Sequence, residues 1–125
     1  MAFQLSQIIK PQHVANASTA LQLTVDGAGT QAAAVPALTA LSLWTCRIAN
    51  VTATPVTLRI YRVPSGAAAD LAHTVLFTIT IPVATANNPY FDWSPNYQLA
   101  AGDAIFMIAG TATALVVTGD GGITT

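Results

Sequence analysis

The chain has 125 residues, 53% of them hydrophobic and only 7% charged, with a formal net charge of −1 at pH 7. Four basic residues are too few for the electrostatic footprint that nucleic acid or anionic lipid demands, and a chain this apolar is not disordered. One ordinary domain remains, large enough to bury a core without disulfide help.

In chain order, residues 1–20 read as an N-terminal arm or edge strand, with a strand over 3–9. It lacks a basic segment leading into an apolar run, so no signal peptide is read from it. Residues 21–25 form a short strand. Gly27-Ala28-Gly29-Thr30-Gln31-Ala32 spells a dinucleotide fingerprint, but Pro36 denies it the helix that would hold a pyrophosphate. A surface loop is expected there, with room for about one helical turn from Gln31.

Residues 41–51 alternate as a strand, with Trp44, Cys46 and Ile48 on one side and Leu43, Thr45 and Arg47 on the other. The turn Thr52-Ala53-Thr54-Pro55 predicts a hairpin with the next run, where Val56, Leu58 and Ile60 oppose Thr57, Arg59 and Tyr61. Residues 74–81 set Val75, Phe77, Ile79 and Ile81 against Thr74, Thr78 and Thr80. A short strand follows at 89–93. Residues 103–109 and 114–118 form a second expected hairpin, and Gly119-Asp120-Gly121-Gly122 reads as a tight turn.

Short strands at regular spacing without a convincing helix predict an all-β fold. It is a single-domain antiparallel β-sandwich or jelly roll over residues 21–125. The expected core includes Val56, Leu58, Ile60, Val75, Phe77, Ile79, Phe106 and Ile108. Residues 27–46 and 71–91 are long enough to span a bilayer, but prolines and polar residues interrupt both. No membrane partner is expected.

Chemistry-bearing residues are sparse. Asp26 and Asp120 each stand beside glycine without the several carboxylates a calcium loop gathers. His13 and His73 lie in no metal pattern. Ser65, Asp70 and His73 could be drawn as a triad, but no nucleophile elbow accompanies them. No catalytic residue, metal or cofactor is assigned. The single Cys46 allows no internal disulfide and reads as a buried apolar residue.

The low charge points instead to association, since soluble domains usually carry about 25% charged residues and a near-zero net charge favours self-contact. The interface candidates begin with Phe3, Leu5, Ile8 and Ile9 on the arm. Arg47, Arg59 and Arg62 follow, the first two on one face of the expected hairpin, where they could grip a partner's carboxylate or pair locally with Asp70 or Asp92. Tyr90, Phe91, Trp93 and Tyr97 complete the set, as packing or interface anchors rather than a sugar platform.

One ordered set of segments carries a resemblance. Arg47-Ile48-Ala49-Asn50-Val51-Thr52-Ala53-Thr54 precedes a strand closing in Val63-Pro64-Ser65-Gly66, and an Ala101-Gly102-Asp103 turn and a Val-Thr-rich last strand follow. Over residues 42–123, about two thirds of the chain, this resembles small β-sandwich virion structural proteins of tailed bacteriophages. The resemblance implies a non-enzymatic particle component made in the host bacterial cytoplasm and located in the virion. Its expected partners are other copies of itself, most simply as a trimer, and the major capsid protein or other virion proteins. A capsid decoration or cement role leads; a tail, fibre or baseplate module binding a host receptor or glycan is the alternative. A longer N-terminal segment and the stretch containing Trp93 depart from the pattern, and no catalytic residues carry over.

Overall fold

The computed structural model describes residues 3–125, apart from the side chain of Phe77. The expectation that Phe77 is buried therefore lies outside the described residues, as do Met1 and Ala2.

The chain forms β1 (Phe3–His13), β2 (Leu23–Thr24), β3 (Gln31–Ala32), β4 (Ala40–Asn50), β5 (Val56–Val63), β6 (Thr74–Ile81), β7 (Tyr90–Trp93), β8 (Tyr97–Leu99), β9 (Ala104–Ala109) and β10 (Leu115–Thr124), with one 3-10 turn at Leu71–His73. A five-stranded sheet runs β1-β10-β4-β7, with β8 beside β7 on the same edge of β4, and a three-stranded sheet runs β6-β5-β9. All ladders are antiparallel. The two sheets close over one core that includes Ile8, Leu41, Leu43, Ile48, Leu58, Ile60, Ile105, Met107 and Val117. The protein is an all-β antiparallel sandwich. The segment that had room for a helical turn is instead β3, paired with β2 across the Asp26–Thr30 turn.

Neither expected hairpin forms. β4 pairs with β10, β7 and β8, whereas β5 lies in the other sheet. Likewise β9 pairs with β5 while β10 returns to the five-stranded sheet. Both short connections cross from one sheet to the other. At the first crossing Asn50, 2% exposed, ties the bend together. Its Nδ2 donates to the carbonyls of Thr54 (2.8 Å) and Ile81 (3.2 Å), and its Oδ1 accepts from the Thr52 amide (2.9 Å) and hydroxyl (2.7 Å). A buried amide on β4 that satisfies backbone groups of the connection and of β6 in the other sheet favours the crossing over a tight hairpin turn.

Three further expectations are corrected. Gly119–Gly122 is not a turn but the middle of β10, held between β1 and β4. A Cβ at Gly121 would run into the Ser42 carbonyl, and one at Gly122 would meet the Phe3 ring, so the glycines admit close neighbours rather than bend the chain. In β9 the inward residues are Ile105, Met107 and Ala109, while Phe106 and Ile108 are only half-buried. Six consecutive apolar residues, Ala104 to Ala109, gave the alternation no means to choose. Finally, β4 carries an extra residue opposite Asp120 and Gly121. This bulge turns Trp44 outward, away from Cys46 and Ile48.

The β5 register is as expected as far as Ile60, with Val56, Leu58 and Ile60 buried and Thr57 and Arg59 exposed. Tyr61, expected on the outer face, is instead buried beyond a register shift in the ladder with β6. On β6 Thr78 and Thr80 face out, Ile81 is buried, and Val75 and Ile79 are half-buried. Residues 3–13 form an edge strand of this subunit's own sheet. The chain then crosses to run beside β9, through Ala109 N to Ala15 O (2.8 Å) and Leu21 N to Ile105 O (2.8 Å).

Candidate functional site

The acids are mostly spent on the fold. Asp26 Oδ1 accepts from the amides of Ala28 and Thr30, both at 3.0 Å, and the Thr30 bonds hold its carboxyl below its ordinary range. Asp103 takes the amides of Ser65 (3.2 Å) and Ala100 (2.9 Å). Asp70 caps the 3-10 turn through the Ala72 amide (3.1 Å) and meets His73 Nδ1 at 2.9 Å. That nitrogen also lies 2.9 Å from the Ala68 carbonyl; with two acceptors facing it, it carries the proton. The triad drawn on Ser65, Asp70 and His73 is thus occupied by turn closure. Among the described residues no three His, Cys, Asp or Glu side chains gather to hold a metal ion.

What remains is the outer face of the five-stranded sheet. Arg47 and Asp92 lie directly opposite on β4 and β7. The guanidinium binds the carboxylate with two bonds, Nε to Oδ1 at 2.7 Å and Nη2 to Oδ2 at 2.8 Å. Its Cζ lies 3.8 Å from the centre of the Tyr90 ring. The bidentate pair holds the Asp92 carboxyl below the ordinary range and raises Arg47 further. Local pairing with Asp92 is thus what the structure shows for Arg47, and Arg59 cannot join it. Arg59 sits on β5, on the outer face of the opposite sheet. Arg62 reaches across the sandwich edge, donating to the Gln98 carbonyl (2.9 Å) with its Cζ 4.2 Å from the Tyr97 ring centre.

The aromatic group divides along the β7 alternation. Tyr90 faces out with Arg47 and Asp92, whereas Phe91 opposite Ile48 and Trp93 opposite Cys46 turn inward. Phe91, Trp93 and Tyr97 pack against the core, and Trp93 meets Tyr97 edge-on at 5.7 Å. On the arm, Ile8 and Ile9 are fully buried in their own subunit's core, which corrects their assignment to an interface. Phe3 and Leu5 stay 56% and 70% exposed. The Phe3 ring lies across Gly122 towards Trp44, centroids 6.3 Å apart. No sequence signal foretold that contact, because it depends on the bulge and on the absent side chain at Gly122.

A shallow cleft of about 260 Å³ opens between these features, lined by Thr45, Cys46, Arg47, Asp92, Ser94, Thr118, Gly119 and Asp120. Burial, and secondarily the Asp120 charge, push the Cys46 thiol up to about 12, so it is no nucleophile at neutral pH. The face carries the bidentate Arg47–Asp92 pair, the Asp120 carboxylate and the hydroxyls of Thr45, Ser94 and Thr118.

No family model matches the chain, and no curated protein matches it. Among solved structures, a chain from the structure of infectious bursal disease virus, Gx strain, aligns with 98% of this chain and 41% of its own length. The identity is 11% and the TM-score 0.26. The chain spans less than half of that protein, and so loose a likeness carries no argument about function.

Proposed function

We propose that the chain is a non-enzymatic structural component of a tailed-bacteriophage virion, a capsid decoration or cement protein that self-associates and braces the head shell. The observation that carries this reading is the disposition of charge. Asp26, Asp70, Asp92 and Asp103 are committed to turns or to Arg47 within the subunit, in a chain only 7% charged, and Thr45, Thr57, Thr78 and Thr80 stand among the exposed strand positions beside Arg47, Arg59 and Asp120. Covering such a face costs less desolvation than covering Lys or Glu. The resemblance over residues 42–123 supplies the phage context. The tail or fibre alternative loses its aromatic platform, because Phe91 and Trp93 turn into the sandwich.

Quantitative mass spectrometry of purified particles, with antibody labelling in the electron microscope, tests the proposal. Many copies spread over the head are expected, and heads stripped of the chain should lose heat resistance and regain it when the purified chain is added back. A few copies confined to the tail would favour the alternative, and absence from the particle would overturn both.

A further inference from the structure

We infer that the N-terminal half of β1 is a docking edge for a second copy of this chain, the two copies pairing antiparallel about a two-fold axis through the segment Phe3 to Gln7. The inference goes beyond the virion reading and does not depend on it.

The first ground is that protection of the edge is uneven. Among the described residues β1 is the end strand of its sheet and pairs with β10 alone. Exposed strand edges template further pairing unless bulges, Lys or Pro blunt them. The C-terminal half of β1 has all three: register shifts between Ser6 and Ile9 and between Ile9 and Gln12, and then Lys10 and Pro11. It is also flanked, because the Gln12 side chain donates to the Gln22 carbonyl (3.0 Å) and accepts from its amide (3.0 Å). From Phe3 to Ser6 the ladder with β10 is regular, the sequence there holds no Lys, Pro or acid, and the β2–β3 turn touches the segment at the Gln4 side chain, beside Gly27.

The second ground is what the edge displays. Phe3 and Leu5 pair with Thr124 and Gly122, which puts both on the outer face, where they are among the most exposed large apolar side chains of the described residues. An extended peptide partner would need pockets between such positions; here the side chains protrude. Two copies of one uncharged edge pair strand to strand without opposing like charges, their Phe3 and Leu5 side chains lying side by side on one face, as an isologous two-fold contact requires. Neighbouring residues 40–46 and 121–125 are also uncharged, so no like charges meet across the axis. A lasting dimer needs about 800 Å² from each partner, roughly an eighth of the 6167 Å² surface. A short strand pair supplies less, so the dimer is concentration-dependent. Two-fold pairing also differs from the trimer that the phage resemblance implies.

Sedimentation equilibrium over a wide concentration range tests this. The wild-type chain should follow a monomer–dimer isotherm. Leu5→Lys, at a position already exposed and on the face away from the core, should keep its melting temperature and weaken the dimer by at least about tenfold. Leu5→Glu should do the same, and mixing the two variants should restore a dimer through opposite charges across the axis. Leu71→Lys, at another exposed leucine, should leave the isotherm unchanged. A wild-type chain that stays monomeric at its highest soluble concentration, one that closes as a trimer, or a dimer indifferent to Leu5→Lys would each overturn the inference. Because this readout uses purified chain alone, its failure is distinct from absence of the chain from virions.

Discussion

Replacing Asn50 by Ala tests whether the crossing between sheets depends on one buried amide. The substitution removes four hydrogen bonds. The Thr52 hydroxyl keeps a second acceptor, the Thr54 carbonyl at 3.1 Å, so its loss counts for little. The same bond keeps the Thr54 carbonyl partnered, while the Thr52 amide and the Ile81 carbonyl each lose the Asn50 partner, at about 1 kcal/mol or slightly more apiece. The expected cost is about 2–3 kcal/mol, or roughly 6–12 °C in melting temperature for a domain of this size. Urea and thermal unfolding followed by circular dichroism would measure it.

Asn50→Asp sharpens the test. A carboxylate keeps the acceptors but faces two carbonyls with no proton to donate, so the variant should be less stable than Asn50→Ala at pH 7. Burial raises the folded-state pKa of the new carboxyl, so the penalty is full above that raised value and fades as pH falls towards the unfolded value near 4. An Asn50→Ala loss below about 1 kcal/mol, or an Asn50→Asp deficit independent of pH, would refute the reasoning.

Three more expectations follow from features already described. Gly121→Ala should cost about 3 kcal/mol or more in urea unfolding, because its Cβ meets backbone that cannot step aside. Gly66→Ala, with open space around it and a φ of 78°, should cost only about 1 kcal/mol. Cys46 should resist an aromatic disulfide reagent at pH 8 in the folded chain and react at once in denaturant, since burial first and Asp120 second push its thiol up to about 12. For Asp92, whose folded pKa is depressed by Arg47, the paired carboxylate contributes above the unfolded value, and the contribution is lost as pH falls through the folded one. The melting difference between wild type and Asp92→Asn should therefore be flat around neutrality and close in acid.

Much of the strand content was legible because alternation is a local property. Val56–Val63 shows it: Thr57 and Arg59 mark the wet face and Val56, Leu58 and Ile60 the dry one. Pairing was not legible, since a short connection between two strands fits a hairpin and a crossing equally well in sequence. What distinguishes them here is the Asn50 side chain bonding to Ile81, thirty-one positions away. β10 was half-hidden because glycines carry no side-chain pattern, and their role depends on Ser42 and Phe3 lying against them. In the candidate site, pairing of Arg47 with Asp92 could be read as one option from charge alone. Its separation from Arg59 followed only once β4 and β5 were placed in different sheets.

The pairing of Phe3 with Thr124 has a mechanical consequence. A load applied between these two residues pulls along the inter-strand hydrogen bonds, which lie perpendicular to the strands. The bonds of β1 and β10 would then break in succession, like a zipper, rather than shear together. Tension applied at Phe3 and Thr124 meets low resistance, whereas tension spread over a sheet face is shared by every rung of the ladders beneath it.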